Sequence, residues 1–334
     1  MNKTYNWAIL GCGKIAEKFA SDLKLLTNAN LYATASRSLD KARRFADEFG
    51  FQKSYGSYEE MVADEAVDII YIATPHTYHC KHTLLSLEYG KAVLCEKAFA
   101  INEKEVQEMI AASKKHNAFL MEAFWTRFLP RFRKVLEVIE SKELGELKLI
   151  QSDFMFYAPF DPESRLYNLK LGGGSLLDIG IYPVFNALMT LGVPKNIEAN
   201  AELSPTGSDE FLTMVFEYEE GKKAYLKSGF TCDSFNDTVF HFDGGAIRVS
   251  RELNDPIFII KRKEVQNYET QSYAINDGDG FGYQFEAAHV MECLDKGLIE
   301  SPVLPNSFSV ELIQLLDEVR KKIKVAYPNH GEEF

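Results

Sequence analysis

Trp7-Ala8-Ile9-Leu10-Gly11-Cys12-Gly13-Lys14-Ile15-Ala16 decides how the first third of this chain folds. An apolar run ends at a glycine, and a helical pattern from Ile15 to Leu26 follows, so the segment reads as strand, tight turn and helix. The spacing is G-x-G-x-x-A. Gly11 permits the turn, Gly13 lets the backbone approach a pyrophosphate, and Ala16 is small enough for the helix to pack closely on the strand. The helix start offers free N–H groups and a positive dipole to the phosphates. Gly11, Cys12, Gly13, Lys14, Ile15 and Ala16 are therefore the candidate phosphate-binding turn.

Working outward, strand-like and helix-like patterns alternate. Leu31 to Ala35, Val67 to Ala73 and Ala92 to Cys95 read as strands, with helical patterns over Lys41 to Phe49 and His79 to Tyr89. This alternation implies a parallel, doubly wound sheet whose ligands bind along the C-terminal edge of its strands. Beyond residue 122, Pro130 to Ser141 is helical. Long alternating runs follow over Lys148 to Tyr157, Ile197 to Glu202, Phe211 to Tyr218, Ala224 to Thr231 and Thr238 to Phe242. They predict a large, mostly antiparallel sheet with one solvated face, closed by helices over Gly280 to Lys296 and Ser309 to Lys324. The expected organisation is an α/β Rossmann domain over 1–122. An α+β domain over 123–334 then binds substrate and supports oligomerisation, with the open sheet face as a dimer surface.

The 334 residues suit two domains. The net charge is 37 − 49 = −12, which argues against nucleic acid or an anionic membrane as a general partner. Cys12, Cys80, Cys95, Cys232 and Cys293 are scattered and form no CxxC pair, so neither a disulfide framework nor a structural zinc site is expected. No signal segment opens the chain, and no apolar stretch reads as long enough to cross a bilayer. A soluble, cytoplasmic protein is the expectation.

The end of the second strand bears on coenzyme choice. An NAD site places an acid there for the ribose 2′-hydroxyl. Here stands Ser36-Arg37-Ser38, with no carboxylate before Asp40. The Arg37 fork suits a 2′-phosphate, with Ser36 and Ser38 donating hydrogen bonds, which favours NADP over NAD. Thr74-Pro75-His76-Thr77-Tyr78-His79 follows the third strand, where Thr74, Pro75, His76 and His79 border the expected nicotinamide ribose. His76, His79 and His82 flank Cys80 without a carboxylate or second cysteine cluster, so no metal is expected.

Glu96 and Lys97 emerge where the fourth strand ends, either beside the nicotinamide or as ordinary surface charges. Farther on, Gly172-Gly173-Gly174-Ser175 leads into an apolar helix with Ser175 as N-cap. Asp178 and Tyr182 are four apart on one face of it, a pairing open to a buried structural network as well as to catalysis. Trp125, Arg127, Phe128, Phe154 and Phe156 are either core or the wall of an apolar substrate site.

Together the N-terminal glycines, Glu96-Lys97 and the Asp178-to-Tyr182 segment resemble the Gfo/Idh/MocA oxidoreductase family over nearly the whole chain. Met121 to Pro130 and the tyrosine at 182 resemble its dimeric dihydrodiol dehydrogenase and NADP-dependent xylose dehydrogenase branch. One departure is Ala98, where the family usually has proline after Glu-Lys. The resemblance implies hydride transfer between a nicotinamide and a secondary alcohol of a sugar, polyol or cyclic diol. Tyr182 would then be the general acid/base, aided by the Lys97 ammonium, which also steadies a developing alkoxide. Asp178 would orient the pair or a substrate hydroxyl, and giving Lys97 the proton transfer is the alternative. Two other roles suit the same fold, a redox-based NAD-dependent glycoside hydrolase and a nonenzymatic NAD(P)-sensing regulator.

Overall fold

The computed structural model describes residues 3–328 and 330. Its chain divides into two compact units, Met1–Phe128 with Asp279–Ile313, and Leu129–Gly278 with Gln314–Phe334. The first break lies six residues beyond the expected 122. The larger difference is that 279–313 belongs with the first unit, which a boundary drawn from local pattern alone does not register.

In the first unit, β1 (Tyr5–Leu10), α1 (Lys14–Leu23), β2 (Ala29–Ala35), α2 (Leu39–Phe49), β3 (Lys53–Tyr55), α3 (Tyr58–Val62), β4 (Ile69–Ile72), α4 (His79–Glu88), β5 (Ala92–Glu96), α5 (Glu103–His116) and β6 (Leu120–Ala123) follow one another. The six strands are parallel in the order β3-β2-β1-β4-β5-β6. Strands β4 and β5 are wholly buried, as a parallel sheet covered on both faces requires. The order reverses between β1 and β4, so Gly11 and Thr74 leave the sheet side by side. Gly11 has φ +103°, and a Cβ there would lie 2.9 Å from the Ala73 carbonyl oxygen, so the turn admits only glycine. Four elements were not read from sequence: the three-residue β3, α3, α5 and β6.

The second unit opens with α6 (Pro130–Ser141) and β7 (Leu147–Met155), followed by a π-helical turn at Leu176–Gly180 and α7 (Ile181–Leu191). Seven strands complete its sheet: β8 (Asn196–Leu203), β9 (Asp209–Glu217), β10 (Lys223–Gly229), β11 (Asp237–Phe242), β12 (Gly245–Ser250), β13 (Ile257–Glu264) and β14 (Asn267–Tyr273). Their order is β14-β13-β12-β11-β7-β10-β9-β8, antiparallel throughout except for β7 and β10. The three strands from β12 onward escaped the sequence reading, because runs such as Lys261-Arg262-Lys263-Glu264 carry little apolar alternation. Helices α8 (Gln284–Asp295) and α9 (Asn306–Ile323) end the fold.

Two expectations need correction. Ser175 stands at the N-cap position, in helical backbone geometry, but its side chain does not cap the helix: its hydroxyl donates to Asp209 at 2.8 Å. Asp209, on β9, also accepts the Leu176 N–H at 2.7 Å, so the cap comes from a distant strand. Leu169–Leu191, 23 residues, is long and apolar enough by composition to span a bilayer. Most of it is buried in the protein, and its hydrophobicity serves the core beneath the sheet.

Candidate active site

The first unit carries its candidate residues on the C-terminal edge of the parallel sheet. Gly13 is the N-cap of α1, no side chain caps the helix there, and a Cβ at Gly13 would meet nothing within 4 Å. The first-turn N–H groups therefore face open space, which fits the pyrophosphate of a dinucleotide. Ala16 is fully buried against the sheet. Lys14 is exposed and Ile15 half-buried. Cys12 turns inward, within 3.1 Å of the Thr34 hydroxyl, and burial pushes its thiol up.

At the end of β2, Arg37 is exposed and no carboxylate pairs with it among the described residues. Its charge acts on Tyr58 and His82, so it stands over the rim of this edge. The two serines are partly engaged. Ser38 caps α2, accepting the Lys41 N–H at 3.4 Å, and Ser36 accepts the Ser38 N–H at 3.4 Å.

Beyond β4, Thr74 and His76 are half-buried and Pro75 is exposed. His79 is fully buried, with Nδ1 2.8 Å from the Ala98 carbonyl and Nε2 2.7 Å from that of Thr74. A neutral ring can donate to only one of them, and burial pushes His79 down to about 4. Its position ties the Thr74 loop to the segment just after Lys97. His82 is occupied with the Thr74 hydroxyl at 3.0 Å.

Glu96 is buried and positions its neighbour. One carboxyl oxygen accepts the Tyr71 hydroxyl and the other the Lys97 N–H at 3.1 Å. Lys97 itself is half-buried, and its peptide bond to Ala98 is cis. Behind this turn, burial pushes the Glu122 carboxyl up to about 7, against hydrogen bonds from Ser309 at 2.7 Å and Phe99 N–H at 3.1 Å. Glu286 is also pushed up, by burial and then by the charges of Glu96 and Asp22.

The aromatic wall divides. Trp125 and Phe128 are buried within their own unit, against Tyr283 at 5.3 Å and His289 at 4.8 Å. Arg127 is half-buried beside them, its charge acting on His289. Phe154, in the second unit, instead packs beside Tyr182 with centroids 5.6 Å apart, and Phe156 lies against the buried Phe230.

Asp178 and Tyr182 straddle a change of helix type, Asp178 in the π turn and Tyr182 in α7. Such turns add a residue to the helix and re-aim side chains, often at functional sites. Asp178 is nearly buried and accepts the Arg165 guanidinium at 2.8 Å. Sequence reasoning missed Arg165 because its partner is thirteen residues away across a loop, and missed Arg251, which stacks on Phe154 and Tyr182. No local spacing signals either. Groups of histidine, cysteine or carboxylate able to hold a metal are absent among the described residues.

Comparison with known proteins places this architecture. Residues 5–124 match an oxidoreductase family with an NAD-binding Rossmann fold, and residues 132–248 match the C-terminal domain of the same family. The chain is 34% identical over 331 residues to trans-1,2-dihydrobenzene-1,2-diol dehydrogenase of Xenopus tropicalis, covering 96% of this chain and 99% of that one. Among solved structures, a 3-ketoreductase from Actinomadura kijaniata in complex with NADP and TDP-benzene superposes with a TM-score of 0.86 at 23% identity, covering 96% and 98%. An aldose-aldose oxidoreductase from Caulobacter crescentus complexed with glycerol gives 0.85 at 20%, with the same coverage. With a diol dehydrogenase as whole-length relative and a nucleotide turn of the required geometry, this chain belongs to the Gfo/Idh/MocA family of oxidoreductases.

Proposed function

We propose that this protein is an NADP-dependent dehydrogenase acting on a secondary alcohol of a sugar, polyol or cyclic diol. The observation that carries the reading is the whole-length similarity to a trans-1,2-dihydrobenzene-1,2-diol dehydrogenase in a chain that has Lys97, Asp178 and Tyr182. Gly11 to Ala16 would hold the pyrophosphate, and Arg37 with Ser36 the ribose 2′-phosphate. The preference for NADP rests on Arg37 and on the absence of an acid before Asp40. When bound, the nicotinamide exchanges hydride with the carbinol carbon.

The protein's own part is proton movement and orientation. Tyr182 exchanges a proton with the substrate oxygen. Lys97, its backbone fixed by Glu96, donates a hydrogen bond to that oxygen as negative charge develops. Asp178, steadied by Arg165, accepts from a neighbouring substrate hydroxyl. Phe154 offers an apolar surface to the carbon skeleton.

Coenzyme-linked turnover across aldoses, inositols and cyclic diols, with NADP and NAD in parallel, tests this. Reduction of NADP on one class is expected. Glycoside cleavage without net coenzyme reduction would replace the reading by a redox-based hydrolase, and coenzyme binding with no turnover by a sensor.

We further propose a homodimer formed through the open face of the second sheet. Val215, Tyr225, Gln151, Val239, Arg248 and Phe258 lie in one row across six strands of that face, and Tyr225 is 43% exposed. Sedimentation velocity at low concentration showing monomer would reject it. A cytoplasmic location is proposed on the five unpaired cysteines and the charge of −12, and subcellular fractionation tests it.

A further inference from the structure

The contact that neither the family motif nor the sequence pattern announces is made by Arg251. Its guanidinium carbon lies 3.6 Å from the centroid of the Phe154 ring and 4.8 Å from that of Tyr182. The two rings are 5.6 Å apart and inclined at 59°, so the planar cation closes a triangle with them. All three side chains are half-buried. A guanidinium is drawn to an aromatic face by the ring quadrupole, and the more so where water is partly excluded.

The backbone that delivers Arg251 is anchored on both sides. Arg131, buried in α6, donates through Nη1 to the Ser250 carbonyl at 2.7 Å and to that of Glu252, and through Nη2 to that of Asp255 at 3.4 Å. Asp277 is fully buried beneath this loop. It accepts Arg131 Nε at 2.7 Å and the Asn254 N–H at 3.0 Å. The Arg251 N–H donates to the Asn236 carbonyl at 3.2 Å. A loop held this firmly, by a buried ionic pair with its hydrogen bonds satisfied, presents its side chain in one place.

We propose that Arg251 is a positioning residue for Tyr182. Together with Phe154 it restricts the phenol ring to the orientation from which the hydroxyl exchanges its proton with substrate. This rests on the assignment of proton transfer to Tyr182. The competing account is that Arg251 only packs the loop against the sheet, in which case its loss would lower stability and leave kcat alone.

The test compares R251M, R251K and Y182F, using NADP binding, thermal unfolding and steady-state kinetics on the best substrate of the panel. R251M is expected to bind NADP as the parent does, to keep KM within about twofold, and to lose about tenfold in kcat. R251K keeps a cation at the ring faces without the planar fork, so its kcat should fall between the two, and it keeps the comparison readable if R251M folds poorly. Adding R251M to Y182F should cost nothing further, because the effect runs through the phenol hydroxyl. Parental kcat in R251M, no recovery in R251K, or a further tenfold loss in the Y182F background would each overturn the proposal. Undiminished turnover by Y182F is a different failure. It would remove Tyr182 from proton transfer, and the proposal with it.

Discussion

The glycine turn of the first unit and the Tyr182 neighbourhood of the second are built from different materials. At Gly11 to Ala16 the groups on offer are backbone N–H groups, and the side chains matter by being small. Around Tyr182 stand side chains from four separate places: Phe154 on β7, Arg165 in a loop, Asp178 in the π turn, and Arg251 after β12. Backbone geometry is set by residues adjacent in sequence, so the first site is contiguous. A side-chain cluster needs only proximity in the folded sheet, so the second is scattered over about a hundred residues. The difference teaches where substitutions act: in the turn through shape, and around Tyr182 through chemistry and orientation.

That contrast can be broken most forcefully at Tyr182. Y182F is expected to lower kcat by roughly three orders of magnitude while leaving NADP affinity unchanged, the range of general acid–base catalysis. Parental turnover would show that the second cluster is a structural network.

Next in size is the support beneath Arg251. D277A strips the buried Arg131 of its counter-ion, and we expect a loss of about 3–5 kcal/mol in unfolding free energy by urea titration. A loss under about 1 kcal/mol would mean that the Ser250–Asp255 loop is not held by this pair.

The coenzyme end sharpens the comparison. R37D is expected to shift the ratio of kcat/KM for NADP over NAD by about a hundredfold, since it removes a charge-assisted contact and adds a repulsion. An unchanged ratio would place the 2′-phosphate elsewhere.

The smallest effect concerns the buried acid behind Lys97. Glu122 is raised from its ordinary 4.5 to about 7. Its contribution to stability is therefore fully present below pH 4.5 and lost as pH rises through 7. E122Q is expected to flatten this decline, worth about 1.4 kcal/mol per pH unit at most. A parental slope in E122Q would assign the titration to another group.

Much of this protein was legible in sequence for identifiable reasons. Trp7 to Ala16 carries strand, turn and helix signals within ten residues, and the alternation of apolar runs with helical ones up to Cys95 announces the parallel sheet. Glu96, Lys97, Asp178 and Tyr182 stood out because polar groups interrupt apolar segments or end a strand. Less was legible where the reason for a residue lies far away. Trp125 and Phe128 suit a substrate wall and the core equally in sequence, and their packing against Tyr283 and His289 appears only in the folded chain. Asp209, rather than Ser175, caps the helix because β9 carries it there.

By itself, then, the sequence determined the order of elements and the chemistry of the nucleotide turn, because both depend on interactions among residues a few positions apart. The tertiary structure alone decided that 279–313 joins the first unit, with Asp22 of α1 accepting the N–H groups of Phe281 and Tyr283 at 2.9 and 2.8 Å. It alone set Arg165 on Asp178 and Arg251 on Tyr182. These choices join residues 13 to more than 250 positions apart, and no local periodicity records a pairing whose free energy arises only once the chain has closed upon itself.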